Sequence, residues 1–293
     1  MNRKMVSCII PTYKRSDTLT RAIDSVLCQT YEALEVVVVD DNIPGDEYSQ
    51  NVKRALEKYS ANPRVRYIEQ EKHINGAVAR NVGVKEAKGE YIAFLDDDDE
   101  WLPNKIERQV EVMEAEKVEG VSCLYKIYNN GQQTGKCPAY DSEELQFKVL
   151  ARQVAIFTST FMCKKECFLS FGGFNPKLLR HQDLQLFTDF LNNGNIYPIN
   201  EYLVILHTDS EINSPNTEKM IKVKQAFFEA VQETVNKYDN SAKRRIKKAH
   251  YFEVVVSAIR EKKIKTAMKY LAKIGPDYYA FKDVMNRYKA RKK

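Results

Sequence analysis

The sequence predicts an α/β fold, an open and mostly parallel sheet covered by helices on both faces, followed by a basic helical extension. Three observations carry this. Short β-branched runs alternate with segments of helical spacing from Val6 to Leu95. The runs at residues 6–10, 34–39 and 91–95 each end in residues suited to a ligand, with acids after two of them and an aromatic after the third. Beyond about Ser214 the strand pattern stops and only helical spacing remains.

Residues 6–10 and 34–39 read as buried parallel strands, because strands covered on both faces are apolar throughout rather than alternating. Between them Leu19, Ala22, Ile23, Val26 and Leu27 recur at helical spacing behind an N-cap candidate at Ser16 or Asp17, which completes a βαβ unit. Residues 64–68 give a third strand, 77–87 a helix stopped by Lys88 and Gly89, and 91–95 a fourth strand. Residues 103–116 open a charged helix with proline near its first turn. Residues 121–128, with the turn Asn129-Asn130-Gly131, suggest a hairpin or edge element. Residues 158–163, 196–199 and 202–207 are further strands, with a helix near 182–192. In the extension Ile264, Met268, Leu271 and Ile274 line one face of a helix whose other side carries Lys262, Lys263, Lys265, Lys269 and Lys273.

At 293 residues the chain suits one large domain, residues 1–212, plus an appendage, residues 213–293. No apolar run approaches the roughly 18 residues of a membrane-spanning helix. Pro11 also cuts the N-terminal apolar stretch short of a signal-peptide core, so a cytosolic chain is expected. The cysteines Cys8, Cys28, Cys123, Cys137, Cys163 and Cys167 lack metal-ligand spacing and read as reduced thiols. Net charge is +6, but unevenly spread: the stretch from Thr217 onward holds 21 of the 46 Lys and Arg and 8 of the 40 Asp and Glu. The body is therefore acidic and the extension basic, which points the extension toward something anionic.

Ligands of open α/β sheets bind beyond the carboxyl ends of the strands. Those ends carry Pro11-Thr12-Tyr13, Asp40-Asp41-Asn42 and the run Asp96-Asp97-Asp98-Asp99. Four adjacent carboxylates repel one another unless a cation neutralises them, and Mg²⁺ or Mn²⁺ takes such oxygens together with substrate phosphate. Asp40 and Asp41 either cap the next element or hydrogen-bond a nucleotide. Tyr13 is either a turn aromatic or a stacking surface for a base. Arg80 is either a surface helix residue or a phosphate contact. His207 is read as a satisfied polar group in preference to a further metal ligand.

These stretches resemble the family 2 glycosyltransferases, which have the GT-A fold. The matching segments are Val6-Ser-Cys-Ile-Ile-Pro-Thr-Tyr13, Ser25-Val-Leu-Cys-Gln-Thr-Tyr31, Val36-Val-Val-Val-Asp-Asp41, Asn75-Gly-Ala-Val-Ala-Arg-Asn-Val-Gly83, and Gly89-Glu-Tyr-Ile-Ala-Phe-Leu-Asp-Asp-Asp-Asp99 with Trp101 and Pro103. Gly172-Gly173-Phe174 and Gln182-Asp183 follow in the family's order, so the resemblance spans roughly residues 5 to 210. It implies a nucleotide-binding half over about 1–100 and an acceptor-binding half over about 101–212. It also implies that Pro11 and Tyr13 line a base pocket and that Asp41 reads the uracil edge. Arg80 would face the pyrophosphate, and Asp97 ribose or a metal-bound water. Asp98, with Asp96, would hold Mn²⁺ or Mg²⁺, and Asp183 would be the general base of an inverting transfer.

Three departures stand out. Asn42-Ile43 replaces the usual Gly-Ser after the second strand, the metal motif is four aspartates long, and Gln182 stands where the family has glutamate. The implied reaction moves a sugar, most simply from a UDP-sugar, to a hydroxyl of a glycan or lipid-linked acceptor. Such acceptors lie on membranes, so the extension either touches the inner leaflet peripherally or only packs as a helical cap on the catalytic domain; nucleic acid is not an expected partner. The competing readings are a transferase to polyprenyl phosphate, which needs no base, a nucleotidyltransferase, and a non-catalytic nucleotide-sugar-binding module.

Overall fold

The computed structural model describes residues 3–209 and 215–276. The chain opens β1 (Val6–Thr12), α1 (Leu19–Leu27), β2 (Leu34–Asp40), α2 (Glu47–Leu56), β3 (Val65–Glu69), α3 (Gly76–Glu86) and β4 (Tyr91–Phe94). These strands lie side by side in the order β3-β2-β1-β4, all parallel. β2 and β4 are buried at every residue, which is why their sequences carry apolar residues on both faces. On one face Leu19, Ala22, Ile23 and Val26 of α1 pack into a cluster with Cys8, Ile10 and Val36. On the other, Ala77, Ala79 and Val84 of α3 meet Ile9, Val37 and Val39. α3 lies so close to the sheet that a Cβ on Gly83 would come within 2.4 Å of the Ile9 side chain. Glycine is needed there for the approach, not for its dihedral freedom.

The second half adds β5 (Glu100–Trp101), α4 (Lys105–Glu116), β6 (Gly120–Asn129), β7 (Gln132–Lys136), α5 (Leu145–Leu150), β8 (Phe161–Lys164), α6 (Lys165–Ser170), α7 (Gln182–Asn193) and β9 (Ile196–His207). The sheet continues β4-β8-β6-β9-β5, with β7 hairpinned onto β6. β8 runs antiparallel to both β4 and β6, whereas β6 and β9 are parallel. Parallel pairing thus characterises the first half, and the second is mixed.

Several local expectations are refined. Residues 121–128 do form a hairpin strand, but one flanked by β8 and β9 and so not at an edge. Residues 196–199 and 202–207 are one strand, β9, kept continuous by register shifts around Leu124 of β6. α1 begins with Thr18 at its N-cap, with no side-chain cap, rather than with Ser16 or Asp17.

The extension forms α8 (Thr217–Ala230), α9 (Gln232–Asn236), α10 (Asn240–Arg260) and α11 (Ile264–Ile274). Phe227, Val231, Val235 and Ile246 join one cluster with Leu145, Phe187 and Phe190 of α5 and α7, so α8 to α10 share the core of the second half. α11 packs on α10 through Ala267, Tyr270 and Ile274. Ile264, Met268 and Leu271, expected on the same face as Ile274, are instead 58%, 65% and 47% exposed, because α10 meets the helix along the adjacent stripe. No helix among the described residues is long and apolar enough to cross a membrane.

Candidate active site

Because β1, β2 and β4 are parallel, their carboxyl ends emerge on one side, and a cavity of 370 Å³ opens there. Pro11 and Tyr13 from the end of β1, Asp41 from the end of β2, Arg80 from α3, and Asp96, Asp97 and Asp98 from the turn after β4 all line it. Seven residues spread over 88 positions of chain thus face one space.

The four aspartates are not equivalent. Asp99 turns inward and is 7% exposed, accepting from Ser159 Oγ (2.5 Å) and from the backbone N–H of His207 (3.3 Å). It fastens the turn to the second half, and burial drives its carboxyl well above the usual range. The other three face the cavity. Asp96 accepts from Arg80 Nη2 (2.5 Å) and Thr158 Oγ1 (3.3 Å). Asp97 accepts from Thr12 Oγ1 (2.8 Å) and from Arg15 Nη1 (3.3 Å), which also binds Asp98. Burial first, then the negative charges of Asp98 and Asp96, push the Asp97 carboxyl up to about 7 against the hydroxyl of Thr12 and the charge of Arg15. Arg21 Nη2 donates to the Asp98 carbonyl (2.6 Å) and fixes the turn from below.

At the other end of the cavity the Tyr13 ring stacks on His73, centroids 3.9 Å apart and 13° from parallel. Asp41 is buried at 2% exposure. Its Oδ1 accepts from Gln70 Nε2 (2.5 Å) and the Ile74 N–H (3.1 Å), and its Oδ2 lies 3.0 Å from His73 Nδ1. Burial raises this carboxyl, and the Ile74 N–H and His73 oppose it. His73 was missed from sequence: it lies between β3 and α3 in a polar stretch without periodicity.

Asp183 is the second residue of α7, half-buried, and its Oδ1 accepts from the Leu184 N–H (2.8 Å). It does not line the cavity wall but lies within electrostatic reach of it. Burial raises its carboxyl, while Arg152, the Leu184 N–H and Arg80 pull it back and Asp96 adds to the rise. His207 is held by Glu100, with Nε2 3.2 Å from its carboxylate, as a satisfied polar group would be.

The fit of a divalent cation can be tested on the donor set. Asp96, Asp97 and Asp98 line one space, paired there with Arg80 and Arg15, and their carboxylates are the hard donors that Mg²⁺ and Mn²⁺ accept. Among the described residues no group of three or more His, Cys, Asp or Glu side chains is arranged to hold a metal ion by itself. An ion here would therefore take one or two carboxylates and complete its shell from phosphate oxygens and water, the usual Mg²⁺ arrangement. The residues fit.

Residues 7–170, more than half of the chain, match the model of glycosyl transferase family 2. The chain belongs to that family. This family 2 glycosyltransferase is 30% identical over 200 residues to the Escherichia coli UDP-Glc:alpha-D-GlcNAc-diphosphoundecaprenol beta-1,3-glucosyltransferase WfgD, covering 68% of this chain and 75% of that one. Its fold is similar to that of Staphylococcus aureus TarS 1-349 in complex with UDP-GlcNAc, at TM-score 0.67 and 17% identity over 92% of this chain and 82% of that one. It is also similar to the mannosyltransferase PcManGT of Pyrobaculum calidifontis in complex with GDP-Man and Mn²⁺, at TM-score 0.61 and 16% identity over 98% and 80%. The fold is therefore GT-A, and the enzyme is a hexosyltransferase that uses a nucleotide sugar.

Proposed function

We propose that this enzyme transfers a hexose, glucose in the simplest case, from a UDP-sugar to a hydroxyl of a diphosphate-lipid-linked sugar, with inversion at the anomeric carbon. The observation that carries this is the single cavity where Tyr13 and Asp41 stand at one end and Arg80 with Asp96, Asp97 and Asp98 at the other. A base-binding end joined to a phosphate- and cation-binding end is the shape a nucleoside diphosphate requires. The choice of UDP and of a lipid-linked acceptor is supported by the substrates of WfgD and by the UDP-GlcNAc bound to TarS.

In this reading the exposed face of Tyr13, backed by His73, stacks on the base, and Asp41 accepts from its edge. Asp97, tied to Thr12 beside the base end, faces the ribose. Arg80 contacts the pyrophosphate, and Asp98 with Asp96 would hold the Mg²⁺ or Mn²⁺. When bound, the cation offsets the negative charge that develops on the departing diphosphate. Asp183 takes the proton of the acceptor hydroxyl as its oxygen attacks. Its raised carboxyl keeps it a stronger base than a solvated aspartate, and one in-line displacement inverts the centre.

In this reading the extension docks the enzyme at a membrane surface. α11 exposes Ile264, Met268 and Leu271 beside Lys265 and Lys269, the pattern of a helix lying in an anionic interface. The division into residues 1–212 and 213–293 follows the change from strands to helices, with α8 to α10 built into the core of the second half.

A panel of UDP-, GDP- and dTDP-sugars scored by thermal shift with and without Mn²⁺ tests the reading. Tight ligands stabilise by mass action, so UDP-glucose with Mn²⁺ is expected to raise Tm most. A larger shift from GDP- or dTDP-sugars would overturn the nucleotide assignment.

A further inference from the structure

The acceptor side of the site contains a buried charged cluster that the reaction above does not use. Lys224 of α8 is 4% exposed and His250 of α10 is fully buried. The Lys224 ammonium directs its protons at three acceptors: His181 Nε2 (2.7 Å), His250 Nδ1 (3.1 Å) and Glu253 Oε2 (2.5 Å). His250 Nε2 in turn donates to the Leu150 carbonyl (2.9 Å), which fixes its tautomer. Glu253 also accepts from Arg152 Nε (3.0 Å) through its other oxygen. Burial, then the charges of Lys224 and Arg152, hold both histidines well below their usual range, so they serve as neutral acceptors.

The two segments that this cluster grips are unusual. Arg152, just after α5, has φ +60°, and His181, the residue before α7, has φ +63°. Neither is glycine, and the left-handed region is unfavourable for residues that carry a Cβ. Such backbone persists where surrounding contacts over-determine it, and it gathers at functional sites. Both residues bear on the base: His181 is two positions before Asp183 in the chain, and the Arg152 charge favours the ionised Asp183 carboxyl.

We propose that the C-terminal helices complete the catalytic site: Lys224 and Glu253 hold His181 and Arg152 in place, and through them aim and charge-balance the Asp183 carboxylate. Arg152, His181, Lys224 and Glu253 are then positioning residues. This rests on Asp183 being the base. The charged groups facing Asp183 are Arg152, Arg80 and Arg180 on the cationic side and Asp96 on the anionic side. Removing Arg152 therefore removes a cation that favours the ionised base, and the base should ionise at higher pH.

The test compares full-length Arg152→Met, Arg152→Lys and Glu253→Gln with wild type. Three measurements are made: UDP affinity with Mn²⁺, kcat for glucose transfer from UDP-glucose to a GlcNAc-diphosphate lipid, and the carboxyl ¹³C titration of Asp183, assigned by its loss in Asp183→Asn. Arg152→Met and Glu253→Gln should lower kcat by about tenfold to a hundredfold, the scale of a misaimed catalytic group, with UDP affinity unchanged. In Arg152→Met the Asp183 titration should move to higher pH, and in Arg152→Lys, which keeps the charge, it should stay near wild type. An unmoved titration in Arg152→Met, or a kcat loss matched by equal loss of UDP affinity, overturns the inference and leaves the cluster a structural fastening. Activity retained in Asp183→Asn would instead remove the base assignment, an outcome separate from the Arg152 result.

Discussion

Replacing Asp183 with asparagine separates catalysis from folding more sharply than any other single change here. Asparagine is nearly isosteric and keeps an oxygen for the Leu184 N–H, which donates to Asp183 Oδ1 at 2.8 Å. It carries no charge to desolvate, and burial is the largest influence on this carboxyl. Asp183→Asn should therefore melt no lower than wild type, while kcat falls by about 10²–10⁴-fold, the usual scale for a general base. That corresponds to about 3–5.5 kcal/mol of barrier. The pH dependence carries the same sign. A base whose pKa lies above the ordinary carboxylate range works only when ionised, so wild-type kcat should rise with pH through that raised value. The residual rate of the asparagine variant should be flat across this window. The assay is UDP release at saturating donor and acceptor, with Tm and UDP affinity measured on the same preparations. A variant with wild-type kcat, or one whose melting point collapses together with its activity, would refute the argument.

Three further outcomes follow from the geometry. EDTA or Asp98→Ala should abolish most of the thermal shift given by UDP, which at a hundredfold excess over Kd is worth about 2.7 kcal/mol; a UDP shift unchanged by both would falsify the assignment of Asp98 to the cation. Lys105, fully buried against the Trp101 ring at 3.8 Å, has its pKa lowered to about 8 by burial. Its charge therefore costs stability below about pH 8, a cost that fades as pH rises toward 10.5. Lys105→Met should gain at most about 3 kcal/mol at pH 7, less the lost bond to Gln109 (2.6 Å), and the advantage over wild type should shrink in urea melts at pH 9.5. Finally, Met268→Glu with Leu271→Glu should reduce sedimentation with anionic vesicles, since it removes apolar surface and adds negative charge. Basic residues near such a surface contribute about 1 kcal/mol each, so raising salt should weaken wild-type binding; binding equal for variant and wild type would refute the role of α11.

The cavity residues were legible because strand ends can be read from short apolar runs, and Tyr13, Asp41 and Asp96 to Asp98 all stand at such ends. Arg80 was legible only through its place in a motif. What escaped has identifiable causes. α2 escaped because Val52 is its one buried apolar residue, too little for a helical period to show. The mixed order of the second half escaped because β8 is four residues long, and no local pattern says that it inserts between β4 and β6. His73 and Arg152 escaped because they lie outside regular elements, where position depends on long-range contacts. The exposed stripe on α11 shows the converse error. Helical spacing identifies an apolar face, but only the packing of α10 decides which side of it is covered.

The inward-turned fourth aspartate has a consequence for engineering. Asp99 joins the aspartate turn after β4 to Ser159 and His207, and the Trp101 indole N–H donates to the Ser159 carbonyl at 2.9 Å. The first and second halves of the sheet are therefore spliced through contacts that bridge some 60 to 108 residues of chain. A chimera with a relative that crosses over near residue 100 would pair the turn of one parent with the anchors of another. The better junctions keep the Asp99 turn, the Thr158-Ser159-Thr160 turn and the end of β9 from a single parent.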